Sequence, residues 1–421
     1  MKKPFMIGSC AAVQDAGMAD DAALIAHALR RLTFGTHPER LAQFDGWAAP
    51  DVVDALLAED AQNLEPPELG SDDDYSKLPY WWLEAMAAPT AGVHERMVWF
   101  WHGLLTSSLD KASPALMWRQ HRLLREHALG NFRSLLQQIT VDAAMLYWLD
   151  GAGSTVEAPN ENYAREVMEL FALGRASVAY TELDVRAGAK AFAGWWIDGD
   201  HDDEVVFDPD SALNEPVEFL GRSVQTAEEA IDAICDHPAC ARHIASAIYT
   251  AFIGVAPDDA RLAELAQVFT DAGLEIRPLL EAVVRGPEFL QTRHNRPRSA
   301  VEWYVSLRHL YDMEIDWWYL YGLGQVPFAP PNVAGWPGTR RWVSAGAEFG
   351  KVAAASDYAW DTATLDEDDP VGDLLWRAGQ FEIGDDTRAV LDDAVGAVSS
   401  RRDLSTLLHA LLACSPEFSL A

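Results

Sequence analysis

The sequence predicts a mainly α-helical protein, built as one large multi-helix bundle with a loop-rich insertion. Apolar residues recur at three- and four-residue spacing along most of the 421 residues, and caps mark the ends of several of these segments. Only a short segment around Val205–Phe207 is rich in β-branched residues. No internal repeat or interdomain linker interrupts the pattern, so we expect an N-terminal tail over residues 1–21 and a single helical domain over 22–421.

Individual segments support this prediction in chain order. The stretch DDAALIAHALRRLTFG and the almost wholly apolar HERMVWFWHGLL both predict helices, the second of them buried. Ser113 and Pro114 predict the start of a further helix that Gly130 ends. Thr181, with Asp184 three residues later, has the spacing of a capping box.

Two segments lack helix signals. Residues 196–224 predict a loop insertion with a short hairpin, and a long ordered loop of this kind could cover a site. Residues 322–345 form a loop rich in proline, glycine and tryptophan.

Composition limits the class of function. The chain is 49% hydrophobic and 10% aromatic, which supports a large core, and its formal net charge is −33. That charge repels nucleic acid and anionic membranes, so we expect neither as a partner; it is consistent with acidic surface solvation or with an acidic docking surface.

Location is predicted from the cysteines and the start of the chain. Four cysteines, none in a CxxC pair, indicate reduced thiols rather than a disulfide scaffold. No apolar run reaches the ~18–20 residues of a membrane span. The apolar stretch from Pro4 to Ser9 is shorter than an export signal needs, so we expect a cytoplasmic protein.

The densest polar segment is PNENYAREVMELFALG, predicted as one helix. Asn162, Glu166 and Glu169 fall on one face at intervals of four and three residues. Two carboxylates and an amide on a buried helix would be costly unless they were paired or metal-bound, which points to a site. The alternative is a solvated face on which Glu161 pairs with Arg165.

His102 lies in the aromatic sequence VWFWHGLL. It is a candidate metal ligand or acid–base partner for Glu166 and Glu169, and a divalent metal ion is the candidate cofactor. The alternative is a core histidine held by a hydrogen bond. Arg119 could clamp an anionic substrate group, or it could form an ion pair.

Sixteen tryptophans occur in clusters, which predict core packing, although some could line an aromatic pocket. The sequence contains no Walker A motif, no dinucleotide-binding glycine fingerprint, no HExxH and no GxSxG. The corresponding nucleotide, zinc-protease and serine-hydrolase functions are therefore not predicted.

The ordered motifs HALRRLTFG, FWHGLLTSSLDK, SPALMWRQHRLLREHALG, PNENYAREVMELFALG, IRPLLEAVVRGPEF and PPNVAGWPG resemble the bacterial family filed as domain of unknown function number 1800. The resemblance implies a large helical protein, and many family members carry export signals. This chain departs from the family pattern: His102-Gly103-Leu104 replaces His-x-His, and basic residues are missing before PNEN and near the FLG motif. These losses suggest a different substrate or a lost activity.

Two functions remain open. The first is a helical enzyme with metal-assisted or acid–base chemistry on a small-molecule or peptide substrate, in a biosynthetic setting. Glu166 and His102 would act there, with Asn162 orienting the site and Arg119 clamping the substrate. The second is a non-catalytic binding, assembly or scaffold protein whose aromatic clusters bind a partner or glycan.

Overall fold

The computed structural model describes residues 16–69, 74–175, 179–201, 203–311, 313–314, 316–358 and 364–421. Residues 1–15 of the predicted tail, which include Cys10, lie outside the described residues. The first described helix begins at Ala16, before the boundary predicted at residue 22.

The first half of the chain is a succession of α-helices. These are α1 (Ala16–Leu32), α2 (Pro38–Gln43), α3 (Ala49–Leu57), α4 (Lys77–Ala87), α5 (Val93–Leu104), α6 (Pro114–His127), α7 (Phe132–Thr140), α8 (Ala143–Trp148), α9 (Glu161–Glu166) and α10 (Glu182–Ala191). A π-helix, Val167–Ala172, directly continues α9.

The predicted insertion contains the described strands. Strands β1 (Trp195–Asp198) and β2 (Glu204–Phe207) form one antiparallel hairpin, and β3 (Val217–Phe219) and β4 (Arg222–Val224) form a second. The short hairpin predicted around Val205–Phe207 is confirmed, and the second hairpin was not predicted.

Helices resume after the insertion. They are α11 (Ala227–Asp236), α12 (Pro238–Ile253), α13 (Asp259–Asp271), α14 (Ile276–Val284), α15 (Pro287–Gln291), α16 (Ala300–Leu310), α17 (Trp318–Leu323), α18 (Ala345–Tyr358), α19 (Pro370–Arg377), α20 (Asp385–Ala397) and α21 (Arg401–Ala413). Short 3-10 helices occupy Thr339–Val343 and Glu417–Ser419. The mainly all-α prediction is confirmed.

Local sequence explains where several helices begin. The Ser113 side chain accepts a hydrogen bond from the Leu116 amide at the start of α6. Thr181 and Asp184 form the predicted capping box at the start of α10.

One continuous core holds the helices together. Trp82, Trp101 and Trp303 are among its largest fully buried side chains, as the tryptophan clusters predict. None of the described helices is long and apolar enough to cross a membrane.

The loop rich in proline, glycine and tryptophan is fixed to the C-terminal end of α5. Thr106 donates a hydrogen bond to the Val333 carbonyl at 2.6 Å, and the Leu109 amide donates to the Phe328 carbonyl at 2.9 Å. Gly335 lies so close to the Gly103 carbonyl that a β-carbon would come within 2.7 Å of that oxygen, and its φ of +77° also favours glycine.

Candidate functional site

His102 lies in the core beneath this loop. Its Nε2 atom accepts a hydrogen bond of 2.9 Å from the Phe328 backbone amide. The rings of Trp82, Phe328 and Trp336 lie 5.0, 5.0 and 5.4 Å from the imidazole, between centroids. Burial lowers the pKa of His102 to about 3, which keeps the ring neutral. The structure therefore matches the alternative of a hydrogen-bonded core histidine.

The PNEN segment holds a turn together through Asn160. Its side chain caps α9 by accepting from the Tyr163 amide at 3.1 Å, and its amide group donates to the Leu149 and Asp150 carbonyls at 3.0 and 2.6 Å. Asp150 has a φ of +54°, so these contacts stabilise a strained turn. The first asparagine of the motif thus has a structural role.

The polar face of α9 is open to solvent. Asn162 is exposed. Arg165 forms a bidentate ion pair with Glu182, in which its Nη1 and Nη2 atoms donate to the two carboxylate oxygens at 2.7 and 2.9 Å. Glu161 lies 3.6 Å from Arg186. Solvent exposure of Asn162 fits the solvated alternative at this end of the face, but the Glu161–Arg165 pair of that alternative is replaced by the pair of Arg165 with Glu182 on α10.

Glu166 and Glu169 lie where α9 becomes the π-helix, whereas the sequence predicts one uninterrupted helix. Both side chains are half-buried, and Glu169 forms an ion pair with Arg175 at 3.2 Å. Partial burial, followed by the neighbouring charge of Glu169, raises the pKa of Glu166. Short π-helical turns are frequent at functional sites.

Arg119 is exposed on α6. Asp142 caps α8 and accepts a hydrogen bond from the Gln120 side chain at 2.6 Å. Burial raises the pKa of Asp142 to about 6, while its hydrogen bonds and the charge of Arg119 oppose that shift. The charge of Arg119 therefore acts on the Asp142 carboxylate, and the use of Arg119 as a substrate clamp stays a prediction.

The predicted metal ligands are not brought together. No ion pair joins His102 to Glu166 or Glu169, all three of which the structure describes. Within the described ranges, no group of three or more His, Cys, Asp or Glu side chains is placed to hold a metal ion. The partner of His102 is a backbone amide, which leaves no pattern in the sequence. The sequence therefore suggests only side-chain partners for this histidine.

A different feature stands out on the surface of α17 and α18. These helices pack antiparallel: Leu323 meets Gly350 at one end, and Tyr319 meets Tyr358 at the other, with ring centroids 5.3 Å apart. Their outer sides expose four large side chains, which we call the aromatic face: Trp318, Tyr321, Phe349 and Val352.

The aromatic face is unusually open for apolar residues. Phe349 is 80% exposed and Trp318 is 63% exposed, and the Trp318 ring stacks on Tyr321 at 5.4 Å. Trp318 belongs to one of the tryptophan clusters seen in the sequence, whereas Phe349 was not predicted. The available signal was the spacing of Phe349 and Val352 opposite the buried Lys351 and Ala355.

A second feature that sequence analysis missed is a buried group of arginines. Its members are Arg30, Arg31, Arg96, Arg296 and Arg298. The available signal was the pair of arginines in the apolar helix HALRRL and the RPR segment immediately before another apolar helix.

Comparison with known proteins identifies the family. The chain belongs to the family described as a protein of unknown function (DUF1800), whose model matches residues 27–420. This result confirms the family that the ordered motifs indicate. No curated protein and no solved structure matches the chain.

Proposed function

We propose that this protein is a binding and assembly protein that docks a cationic partner protein through the aromatic face. The observation that carries the proposal is the exposure of Trp318, Tyr321, Phe349 and Val352 on two helices that pack together. Tryptophan and tyrosine are, with arginine, enriched among the residues that dominate the binding energy of protein interfaces.

The charge around the aromatic face favours a basic partner. The exposed carboxylates of Asp316 and Asp357 lie near the start of α17 and the end of α18, and Arg341 lies at the other end of α17. The whole chain carries a formal charge of −33, so a cationic protein would be attracted and a second copy of this chain would be repelled. Phe349 and Val352 offer no polar group to a glycan, which favours protein over sugar.

Three helical peptides, two of them amphipathic, test this proposal by fluorescence anisotropy. The first peptide has one apolar face and one lysine face. The second has the same apolar face, with glutamates in place of the lysines. The third, the serine peptide, keeps the lysine face and has serines in place of the apolar residues. We expect binding of the first peptide alone, weakened at least tenfold by Trp318→Ser or Phe349→Ser, because both the apolar contact and the charge are needed.

Leu183→Ser is the matched control, because Leu183 is an equally exposed apolar residue (74%) on α10. Binding of the serine peptide with similar affinity would mean that charge alone attracts the probe. Binding unchanged in both aromatic-face variants would place the site elsewhere. Either result would overturn the assignment of the docking surface.

A second candidate function is acid–base catalysis on a small-molecule or peptide substrate. The raised pKa of Glu166 beside Glu169, at a π-helix, favours it. In a metal-assisted version, these two carboxylates would provide ligands for a divalent ion, and the remaining ligands would come from water or substrate. Exposed Asn162 would contact the substrate, whereas Arg119 lies on a different helix, α6.

Elemental analysis by inductively coupled plasma mass spectrometry tests the metal-assisted version. We expect near-stoichiometric metal in the parent and its loss in Glu166→Gln and Glu169→Gln, with circular dichroism confirming the folded state. A folded parent without metal would rule out the metal-assisted version.

A cytoplasmic location is part of both proposals, and the three described cysteines are free thiols, in agreement with it.

A further inference from the structure

An open cleft lies between helix α4, the segment that precedes it and the start of α17. Its volume is about 460 Å³, which lies within the range of about 300–1,000 Å³ typical of small-molecule sites. The side chains that line it include Tyr80, Trp81, Trp317, Glu68, Glu84 and Lys77. None of the four residues of the aromatic face lines this cleft, so it is a separate feature of the surface.

Three aromatic side chains in the lining leave ring surface open to a ligand. Tyr80 is 42% exposed, and Trp81 and Trp317 are half-buried. Tyr80 and Trp81 come from α4, whereas Trp317 immediately precedes α17 and packs edge-to-face on Trp318 at 5.9 Å. Tryptophan and tyrosine attract a cation that lies over the ring, because the ring face is electrically negative.

The indole of Trp81 is fixed by contacts with its neighbours. Its Nε1 atom donates a hydrogen bond to the Glu65 carbonyl at 2.9 Å, and its ring packs edge-on against Trp118 and His121, with centroids 5.0 and 5.3 Å apart. Because the N–H group is already used, this indole offers a ligand its ring rather than a hydrogen bond. A side chain fixed in advance also loses little conformational freedom when a ligand binds.

The charge of the lining favours a cation. Tyr80 and Glu84 are four residues apart on α4, which places them next to each other on one helix face, and Glu68 brings a second carboxylate into the lining. Lys77 also lines the cleft, but its ammonium lies 3.7 Å from the carboxylate of Asp74. Asp74 offsets the charge of Lys77, so the two glutamates leave the cleft negative.

We propose that this cleft binds a small quaternary ammonium compound, whose charged head lies among the rings of Tyr80, Trp81 and Trp317. Such a head cannot donate hydrogen bonds and presents methyl groups on its surface, so aromatic faces recognise it well. A primary ammonium has three donors and would lose hydrogen bonds to water in a cleft whose surface is mostly apolar. This site does not depend on the docking of a protein at the aromatic face.

Isothermal titration calorimetry with choline, at constant ionic strength, tests the proposal. We expect saturable binding at one site per chain. Two analogues serve as ligand controls: dimethylbutanol, the uncharged isostere with carbon in place of the choline nitrogen, and ethanolamine, which lacks the methyl groups. Each should bind at least about tenfold more weakly than choline, because the first lacks the charge and the second lacks the apolar surface.

Variants of the lining locate the site. Tyr80→Leu should weaken choline binding about tenfold, Glu84→Gln should weaken it less, and Tyr80→Phe should retain it, because phenylalanine keeps the ring face. Trp47→Leu and Glu157→Gln are the matched controls and should bind choline as the parent does. Trp47 is a similarly exposed aromatic residue (45%), and Glu157 is an exposed carboxylate that does not line the cleft. Circular dichroism establishes that each variant is folded.

The absence of saturable choline binding to the parent would overturn the proposal, whatever the variants do. Equally tight binding of dimethylbutanol or of ethanolamine would overturn the assignment to quaternary ammonium compounds. Unchanged choline binding in both Tyr80→Leu and Trp317→Leu would overturn the location. The peptide measurements on the aromatic face use a different ligand, so the docking proposal and this one can fail separately.

Discussion

The imidazole of His102 accepts a hydrogen bond from the backbone amide of Phe328, 226 residues further along the chain. Phe328 has a φ of +63°, an unfavourable conformation for a side chain of its size. The histidine therefore helps to fix the loop rich in proline, glycine and tryptophan against the end of α5.

His102→Phe should destabilise the protein. It preserves the aromatic packing but leaves the buried Phe328 amide without an acceptor, which costs about 1–3 kcal/mol in the free energy of unfolding. Urea denaturation measures the change. His201→Phe, at an exposed loop position, is the control and should have little effect. Equal stability of the parent and His102→Phe would contradict the assigned role.

Stability should fall as the pH falls below about 6.5. Burial lowers the pKa of His102 and His309 to about 3, and of His294 and His409 to about 4. Between those values and 6.5 the unfolded chain binds more protons than the folded chain, so each group favours unfolding by up to about 1.4 kcal/mol per pH unit.

Urea midpoints between pH 7.5 and 4.5 measure this dependence. His102→Phe removes one of these groups, so its free energy of unfolding should change less steeply with pH than that of the parent. Parallel curves for the two proteins would show that His102 is protonated equally in the folded and unfolded states.

The two asparagines of PNEN should differ in their effect on stability. Asn160→Ala removes the cap of α9 and two contacts to carbonyls, with an expected loss of about 1–3 kcal/mol. Asn162→Ala changes an exposed side chain, so its free energy of unfolding should stay within about 0.5 kcal/mol of that of the parent. Chemical denaturation of this matched pair measures the difference, and equal losses would be inconsistent with the capping geometry.

Glu302→Gln should be among the most destabilising single substitutions. It leaves Arg96 and Arg296 buried without a counter-charge, a change that costs about 3–5 kcal/mol. Differential scanning calorimetry should show a large decrease in melting temperature. Asp392→Asn, in the exposed pair with Arg388, should change it little; a comparable decrease there would contradict the contrast between buried and exposed charge.

Trp318→Ser and Phe349→Ser should leave stability within about 0.5 kcal/mol of the parent, because both side chains extend into solvent. Thermal and urea unfolding measure this. Loss of stability in either variant would mean that the aromatic face is covered by the chain itself, and the docking proposal would then lose its basis.

Features set by local sequence could be predicted. The cap at Ser113 and the capping box at Thr181 each depend on residues three positions apart, and the strands paired in the hairpin at Val205–Phe207 are separated by only a short turn. The π-helix after Glu166 could not be predicted, because its sequence has ordinary helical periodicity and the change of winding is seen only in the structure.

The candidate site was predicted less well, because its contacts are distant in sequence. The polar spacing of Asn162, Glu166 and Glu169 was real, but spacing cannot show whether a face meets solvent or another helix. The partner of His102 lies in the 322–345 loop, and the partner of Arg165 lies on α10. Arg30 and Arg298 contact the carbonyls of Gly379 and Leu420, 349 and 122 residues away, and no local pattern could reveal these contacts.

Helix α1 also has consequences for synthesis on the ribosome. Two of its hydrogen-bond partners are made late: His27 contacts the Phe289 carbonyl, 262 residues later, and Arg30 contacts the Gly379 carbonyl, 349 residues later. At translation rates of about 5–20 residues per second, Arg30 waits roughly 20–70 s for its native partner. During that time α1 can pack against α3, but the side chains of His27 and Arg30 lack the carbonyls that they contact in the folded protein.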